Sequence, residues 1–152
     1  FSDIGPIPIR IAKKKTSVNV IAVELNPVAH NYCIENIYLN RVSDRVQPIK
    51  GDVRQICPEI GKTYDRIIMP LPLGAYKFLD VAVPLLRDRG AIHLYYWSPQ
   101  ENGFTEAEKL IAEAAAKHGR SAEFMDHTRV SQYSPGTWKL RLNARLLMTK
   151  RA

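Results

Sequence analysis

The sequence predicts an α/β domain in which helices cover both faces of a mostly parallel sheet. Segments with strand character and segments with helix character alternate along all 152 residues, without repeats or low-complexity tracts. This alternation is typical of parallel sheets, because each parallel strand needs a crossover connection to the next. The last two strand-like segments flank the turn Ser134-Pro135-Gly136, which predicts an antiparallel pair at the C-terminus. The length fits a single domain.

The first half of the chain carries start and stop signals for helices. Pro6 suits the first position of a helix, and the lysines at 13–15 suit its C-terminus. Asn26-Pro27 provides an N-cap and a first-turn proline after a valine-rich strand. The predicted elements are a helix over 6–15, a strand over 17–25, a helix over 27–40, a strand over 46–50 and a helix over 53–57. The predicted buried face of the second helix consists of Ala29, Tyr32, Cys33, Asn36 and Ile37.

The second half continues the alternation up to the final strand pair. Thr105-Glu106-Ala107-Glu108 matches a capping box and predicts a helix that ends at Gly119. The predicted elements are a strand over 64–69, a helix over 75–86 bent near Pro84, a strand over 90–97, the capped helix, and strands over 122–131 and 138–148. Tyr95 and Trp97 should lie on one face of their strand and Tyr96 on the other. We interpret all three mainly as core residues.

Charge and composition narrow the class of protein. The net charge of +7 favours a polyanionic partner such as nucleic acid, although many basic proteins bind none. No apolar run approaches the roughly 20 residues of a membrane span, which predicts a soluble, cytoplasmic protein that binds no membrane. Two cysteines and four scattered histidines are too few for a disulfide framework or a zinc cage, so we expect no metal.

The chain opens on Phe1, which is not an initiator methionine and leads directly into a loop. We therefore expect the sequence to begin inside a domain that is incomplete at its N-terminus.

Four places next to predicted strands combine into a candidate nucleoside site. The loop before the first helix contains Gly5, and Glu24 follows nineteen residues later at the end of the next strand. Asp52 closes the strand after that, and Pro70-Leu71-Pro72 follows the third. Ligands of open α/β sheets bind at the carboxyl ends of strands, and an acid about 20 residues beyond a glycine loop accepts ribose hydroxyls. The order of these residues on successive strands predicts nucleoside binding.

Each of these signals also has a structural interpretation. A lone Gly-Pro is usually a turn, and an acid at a strand end is often a helix cap, as Asp52 would be for the helix at 53–57. A nicotinamide cofactor would need three glycines in G-x-G-x-x-G, and this loop supplies Gly5 alone.

The chain resembles the catalytic domain of the archaeal and eukaryotic tRNA (guanine-N1)-methyltransferases over nearly all of its length. The resemblance rests on short blocks at the strand ends and in the final turn. These blocks are FSDIGP at 1–6, AVELNP at 22–27, Glu35-Asn36 through Leu39-Asn40, Gly51-Asp52, DRIIM at 65–69, Leu71-Pro72, Ala75, Phe78-Leu79 and YSPG at 133–136. The block DRIIM followed by Leu71-Pro72 is the most specific part, whereas the acid motifs are shared by many class I methyltransferases.

The resemblance implies a Rossmann-like class I methyltransferase fold with S-adenosyl-L-methionine as cofactor. Cofactor binding would fall to Ile4, Gly5, Glu24, Leu25, Asp52, Val53 and Pro70, with Glu24 on the ribose and Asp52 and the Val53 backbone on the adenine edge. Pro70, Leu71 and Pro72 would lie under the transferred methyl group and the target base. The first central strand, which would end at Phe1, is expected to be missing, together with an upstream arginine and acid.

Two residues depart from the family pattern. The family usually has glycine at the position of Asp3 and asparagine at that of Pro70. The departure at Asp3 implies that the methionine end of the cofactor is held differently, and the departure at Pro70 implies that any polar side-chain contact there is lost.

The implied activity is methyl transfer to N1 of the guanosine 3′ of the tRNA anticodon, by a monomeric protein when complete. The isolated chain is expected to be unstable and inactive. Two alternatives stay open. One is transfer of the aminocarboxypropyl group of the same cofactor to a tricyclic tRNA base, against which Leu71-Pro72 argues. The other is a non-catalytic RNA-binding module.

Overall fold

A computed structural model of the chain describes residues 1–71, 73–98 and 103–149. These residues form two compact units, 1–60 and 61–152, and each unit is described by itself.

The first unit contains a two-stranded parallel sheet and three helices. The helices are α1 (Pro6–Lys14), α2 (Pro27–Leu39) and α3 (Val53–Ile60), and the strands are β1 (Val20–Glu24) and β2 (Val46–Lys50). Pairing runs from Val20 opposite Val46 to Glu24 opposite Lys50. The predicted helix starts and the strand at 46–50 are confirmed. The predicted strand start at residue 17 is wrong, because the ladder with β2 begins only at Val20.

The core of this unit is apolar and draws on both helices that flank the sheet. Its buried members are Ile9, Ala12, Ala22, Cys33, Ile37, Val42 and Val46. The prediction of a buried Tyr32 is wrong, since this residue is 55% exposed, and the buried residues of α2 are His30, Cys33 and Ile37. Their spacing of three and four residues is that of one helical face. The hydrophobic pattern was ambiguous because the opposite face of α2 is also rich in apolar residues.

The edge of β1 that faces away from β2 pairs with the start of the chain. In a parallel ladder, successive residues direct their backbone groups to opposite edges. The Glu24 carbonyl accepts from Gly51 on the β2 side, so the Val23 carbonyl points the other way, where it accepts from the Ser2 amide at 3.0 Å. That a strand precedes Phe1 stays a prediction.

The second unit is a four-stranded mixed sheet. Its strands are β3 (Tyr64–Met69), β4 (Leu86–Ser98), β5 (Arg120–Ser134) and β6 (Thr137–Met148), in the order β3-β4-β6-β5. β3 and β4 are parallel, and both pairs that involve β6 are antiparallel. The predicted strand at 64–69 and the predicted terminal antiparallel pair are confirmed.

Two helix predictions in this unit are wrong in detail. Instead of one helix over 75–86, the chain forms a 3₁₀ turn (Ala75–Phe78), a short helix α4 (Leu79–Ala82) and a second 3₁₀ turn (Val83–Leu85). Pro84 cannot donate a backbone hydrogen bond, which favours such a break. The next helix, α5 (Gly103–Lys117), begins two residues before the predicted cap at Thr105.

The sheet of the second unit buries one face under α5. Leu94 and Tyr96 of β4, and Leu140 and Leu142 of β6, are buried on that face. Burial and a hydrogen bond to Glu106 of α5 raise the pKa of Tyr96 to about 12. The prediction that Tyr96 is a core residue is therefore confirmed. The same prediction is wrong for Tyr95 and Trp97, which lie on the opposite face, as the alternation predicts, and are only half-buried.

None of the helices in the described ranges combines the length and the hydropathy that a bilayer crossing requires.

Gly103 permits the close approach of α5 to the sheet. A β-carbon at this position would collide with the Ser98 side chain and lie 2.8 Å from Cδ1 of Leu140. We expect Gly103→Ala to destabilise the full-length protein by about 1–3 kcal/mol through overpacking. Gly136→Ala is the matched control, because Gly136 has a φ of +77° but no atom within 4 Å of the added carbon. Urea unfolding that ranks Gly136→Ala as the more damaging change would contradict the packing argument.

Candidate nucleoside-binding site

The carboxylate of Glu24 organises the carboxyl end of β1. Its residue is only 9% exposed. Oε2 accepts from the Asp3 amide at 2.8 Å and lies 2.9 Å from the terminal amino group of Phe1. Oε1 accepts from the Asn26 amide at 2.9 Å. Glu24 therefore ties the loop before α1 to the start of α2.

These contacts keep Glu24 ionised. Burial raises its pKa, but the hydrogen bonds from the Asn26 amide, the terminal amino group and the Asp3 amide outweigh burial and bring the pKa below the ordinary glutamate value. An ionised carboxylate has about four acceptor positions. The Asp3 and Asn26 amides and the amino group of Phe1 occupy up to three of these positions, so at least one is left for a ligand hydroxyl.

Two residues of the loop before α1 have a left-handed backbone conformation. Asp3 has a φ of +52° and Gly5 a φ of +89°. The left-handed region favours glycine and is tolerated by aspartate, which accounts for Asp3 where the resembled family usually has glycine. A β-carbon on Gly5 would lie only 2.9 Å from Sγ of Cys33 in α2. Glycine at this position therefore allows the loop to pass close to α2. Asn36 of α2 also donates to the Ile4 carbonyl at 2.9 Å.

The start of α1 offers fewer free donors than a helix N-terminus usually does. Pro6 and Pro8 have no amide hydrogen, and the Ile9 amide donates to the Gly5 carbonyl. Within the part of the chain that the structure describes, the amides of Ile4 and Ile7 have no acceptor. A bound anion would therefore find at most these two amides on the loop.

The end of β2 lies beside Glu24. The Gly51 amide donates to the Glu24 carbonyl at 3.0 Å, which joins the ends of the two strands. The side chain of the next residue, Asp52, accepts from the Arg54 amide at 2.9 Å and caps α3. The helix-cap interpretation of Asp52 is thus confirmed. Its Oδ2 and the Val53 amide have no hydrogen-bond partner in the described residues, so both can still serve a ligand.

Apolar side chains stand exposed next to these polar groups. Leu25, which directly follows Glu24, is 64% exposed, and Ile4 is 44% exposed. Small-molecule sites combine apolar walls with a few placed polar groups. The first unit therefore brings together Ile4, Gly5, Glu24, Leu25, Asp52 and Val53. Sequence reasoning missed Asn36 and Cys33 as supports of the loop, because their contacts depend on how α2 packs.

The remaining predicted site residues belong to the second unit. Pro70 and Leu71 follow β3 outside regular structure, and Leu71 is 46% exposed. Pro72 lies outside the described residues. No group of three or more histidine, cysteine, aspartate or glutamate side chains that could hold a metal occurs in ranges 1–71, 73–98 and 103–149.

The acids at the ends of two adjacent parallel strands, next to a glycine-containing loop, lie where open α/β sheets bind their ligands. Comparison with known proteins then identifies the class of protein. The family model of the TRM5/TYW2 methyltransferase domain matches residues 1–123. The chain therefore belongs to this family, whose cofactor is S-adenosylmethionine.

Curated relatives fall on both branches of the family. The chain is 36% identical to tRNA (guanine(37)-N(1))-methyltransferase Trm5b of Pyrococcus abyssi, over 96% of this chain and 42% of that protein. It is 32% identical to the tRNA(Phe) (4-demethylwyosine(37)-C(7)) aminocarboxypropyltransferase of Methanocaldococcus jannaschii, over 95% of this chain and 57% of that protein. The chain thus spans about half the length of these relatives.

Solved structures show the same fold. M. jannaschii TYW2 in complex with AdoMet superposes with a TM-score of 0.87 at 30% identity, covering 97% of this chain and 66% of that one. The structure of a complex of aTrm5 with tRNALeu superposes with a TM-score of 0.80 at 28% identity, covering 95% of this chain and 39% of that one. These matches confirm the predicted class I methyltransferase fold.

The hydrogen bonds from the Asn26 and Asp3 amides lower the pKa of Glu24 whatever precedes Phe1, and they predict a pH-dependent contribution to stability. A carboxyl group whose folded pKa is lowered stabilises the fold above its unfolded pKa of about 4.3 and loses that effect as the pH falls through the folded value. Glu24→Gln should therefore cost about 1–3 kcal/mol at pH 7 and much less near pH 3. Urea unfolding of both full-length proteins between pH 3 and 7 measures this difference. A cost that does not change with pH would refute the ionised state of Glu24.

Proposed function

We propose that the full-length protein transfers the methyl group of S-adenosylmethionine to N1 of the guanosine 3′ of the tRNA anticodon. The observation that carries this proposal is the buried, ionised Glu24 at the end of β1, joined through Gly51 to the end of β2. The relative named as a tRNA (guanine(37)-N(1))-methyltransferase, 36% identical over 96% of the chain, supports the substrate and the reaction.

In this proposal the first unit holds the nucleoside part of the cofactor. Glu24 accepts a hydrogen bond from a ribose hydroxyl, and Leu25 and Ile4 flank the adenine. The Val53 amide donates to an adenine ring nitrogen, and Oδ2 of Asp52 accepts from the adenine amino group. A carboxylate acceptor and an amide donor next to each other match these two groups of adenine. Gly5 contributes by allowing the loop to pass close to α2.

The reaction requires a positioned target base and loss of a proton. The bound cofactor supplies an electrophilic methyl group on sulfur. Guanine N1 becomes a good nucleophile only after it gives its proton to a base. We propose that Pro70, Leu71 and Pro72 contact the methyl group and the target base. Because Pro70 has no side-chain donor or acceptor, its contribution there is restricted to shape and its backbone carbonyl.

The second candidate is aminocarboxypropyl transfer to a tricyclic tRNA base. The relative with this activity in its name is 32% identical over 95% of the chain, which makes it comparable to the methyltransferase. Both reactions use the same nucleoside site, so the residues of the first unit do not separate them. They differ in which carbon leaves the sulfur.

A product-label experiment separates the candidates. Full-length protein is incubated with tRNA and cofactor labelled with tritium in the methyl group or with carbon-14 in the carboxyl group. We expect tritium and no carbon-14 in the tRNA. Carbon-14 alone would establish the second candidate, and neither label, with cofactor binding intact, would indicate the non-catalytic RNA-binding module.

Cofactor binding tests the assignment of the two acids. By calorimetry on the full-length protein, Glu24→Ala should weaken S-adenosylmethionine binding about 10- to 150-fold, because one charge-assisted hydrogen bond contributes about 1.5–3 kcal/mol. Asp52→Ala should weaken it less, because the Val53 amide remains. Glu35→Ala, which removes an exposed acid of α2 in the same unit, is the control. Unchanged affinity in a folded Glu24→Ala protein would remove Glu24 from the site.

A further inference from the structure

The face of the four-stranded sheet opposite α5 carries a group of aromatic and basic side chains. Tyr95 of β4 pairs across the ladder with Arg141 of β6, and Trp97 pairs with Lys139. Residues directly opposite in an antiparallel pair project to the same face. Tyr133 of β5 joins them through its contact with Trp97. We call Tyr95, Trp97, Tyr133, Lys139 and Arg141 the aromatic–basic face.

The rings of this face are arranged as a stacking platform. Trp97 and Tyr133 stack with centroids 4.3 Å apart and an interplanar angle of 30°. Tyr133 is nevertheless 67% exposed, so its outer ring surface remains open. Trp97 Nε1 is buried and has no acceptor in the described residues. Lys139 places its ammonium group 5.1 Å from the centre of the Tyr95 ring.

The cations of this face are only partly neutralised. Arg141 lies 3.6 Å from the Asp126 carboxylate and donates to Thr128. Lys139 has no carboxylate partner among the described residues, and its ammonium group lies over the Tyr95 ring instead. A positive charge thus lies beside the Tyr95 ring, on the same sheet face as the exposed Tyr133 ring, in a chain whose net charge is +7.

We propose that the aromatic–basic face binds unpaired nucleotides of the RNA substrate, with a base stacked on Tyr133 and a phosphate held by Lys139. Proteins bind single-stranded nucleic acid by combining aromatic platforms with cations along the backbone. We favour RNA over a protein partner because Lys139 and Arg141 place positive charge beside the rings, in a chain whose net charge is +7. The inference rests on the proposed function, since it assigns one surface to the RNA of that reaction.

The test measures tRNA affinity and cofactor affinity on the same full-length preparations. Tyr133→Ala should raise the Kd for tRNA about 5- to 100-fold, as loss of one stacked base does, whereas Tyr133→Phe should restore most of the affinity. Lys139→Ala should raise the Kd and lower the salt dependence by about one released ion. The cofactor Kd should stay within about twofold, because these side chains lie outside the nucleoside site of the first unit.

Matched controls are available elsewhere on the chain. Tyr38→Ala removes a 76% exposed tyrosine of α2, and Lys109→Ala removes a 75% exposed lysine of α5. Both controls should leave the Kd for tRNA within about twofold. Bound tRNA should also protect Lys139, and not Lys109, from an amine-acylating reagent.

Each result decides the proposal. Unchanged tRNA affinity in both Tyr133→Ala and Lys139→Ala, with a wild-type protein that modifies tRNA, overturns this inference and leaves the proposed function intact. The same holds if Lys139 resists acylation in the free protein, because another part of the polypeptide then covers the face. A wild-type protein that binds cofactor but no tRNA overturns both proposals.

Discussion

The tie between the Glu24 carboxylate and the backbone around it is the constraint on which the candidate site depends. One buried side chain receives the Asp3 amide from the loop before α1 and the Asn26 amide from the start of α2. A neutral residue of the same size would leave these donors without a charged acceptor. In the proposed site, the negative charge that holds the loop also accepts a hydrogen bond from a ribose hydroxyl, so one group serves both structure and binding.

Parallel pairing then brings the second acid to the same place. Because β1 and β2 run in the same direction with Glu24 opposite Lys50, both strands end at one edge of their sheet. The bond from the Gly51 amide to the Glu24 carbonyl carries the ladder one residue beyond the strands. Asp52 follows immediately, with one oxygen committed to capping α3 and the other unused in the described residues. A helix cap and a ligand group are therefore compatible in a single carboxylate.

The two faces of the four-stranded sheet follow different rules. On the face under α5, Leu94, Tyr96 and Leu140 are buried, and Gly103 allows the helix to come close. On the opposite face the strands carry aromatic rings and cations, such as Tyr95, Trp97 and Lys139, which are half-buried at most. Because successive side chains of β4 point to opposite faces of the sheet, its apolar residues and its polar or aromatic residues alternate along the strand. Three consecutive aromatic residues thus have two different environments.

The sequence by itself determined the element order, the bounds of β2 and β3, the helix starts at Pro6 and Pro27, and the acids at two strand ends. These features depend on local signals: proline at a first helical turn, asparagine at an N-cap, and short β-branched runs. Tertiary structure alone decided which residues of α2 are buried, where α5 begins, and how 75–85 folds. The burial of Tyr32 was not predictable because α2 has apolar residues on both faces. The start of α5 was not predictable from Thr105 because it depends on Gly103, which can approach Ser98 where a larger residue cannot. The contacts of Asn36 and Cys33 with the loop, and the stacking of Trp97 on Tyr133, join residues more than 25 positions apart, and no local pattern encodes such a distance.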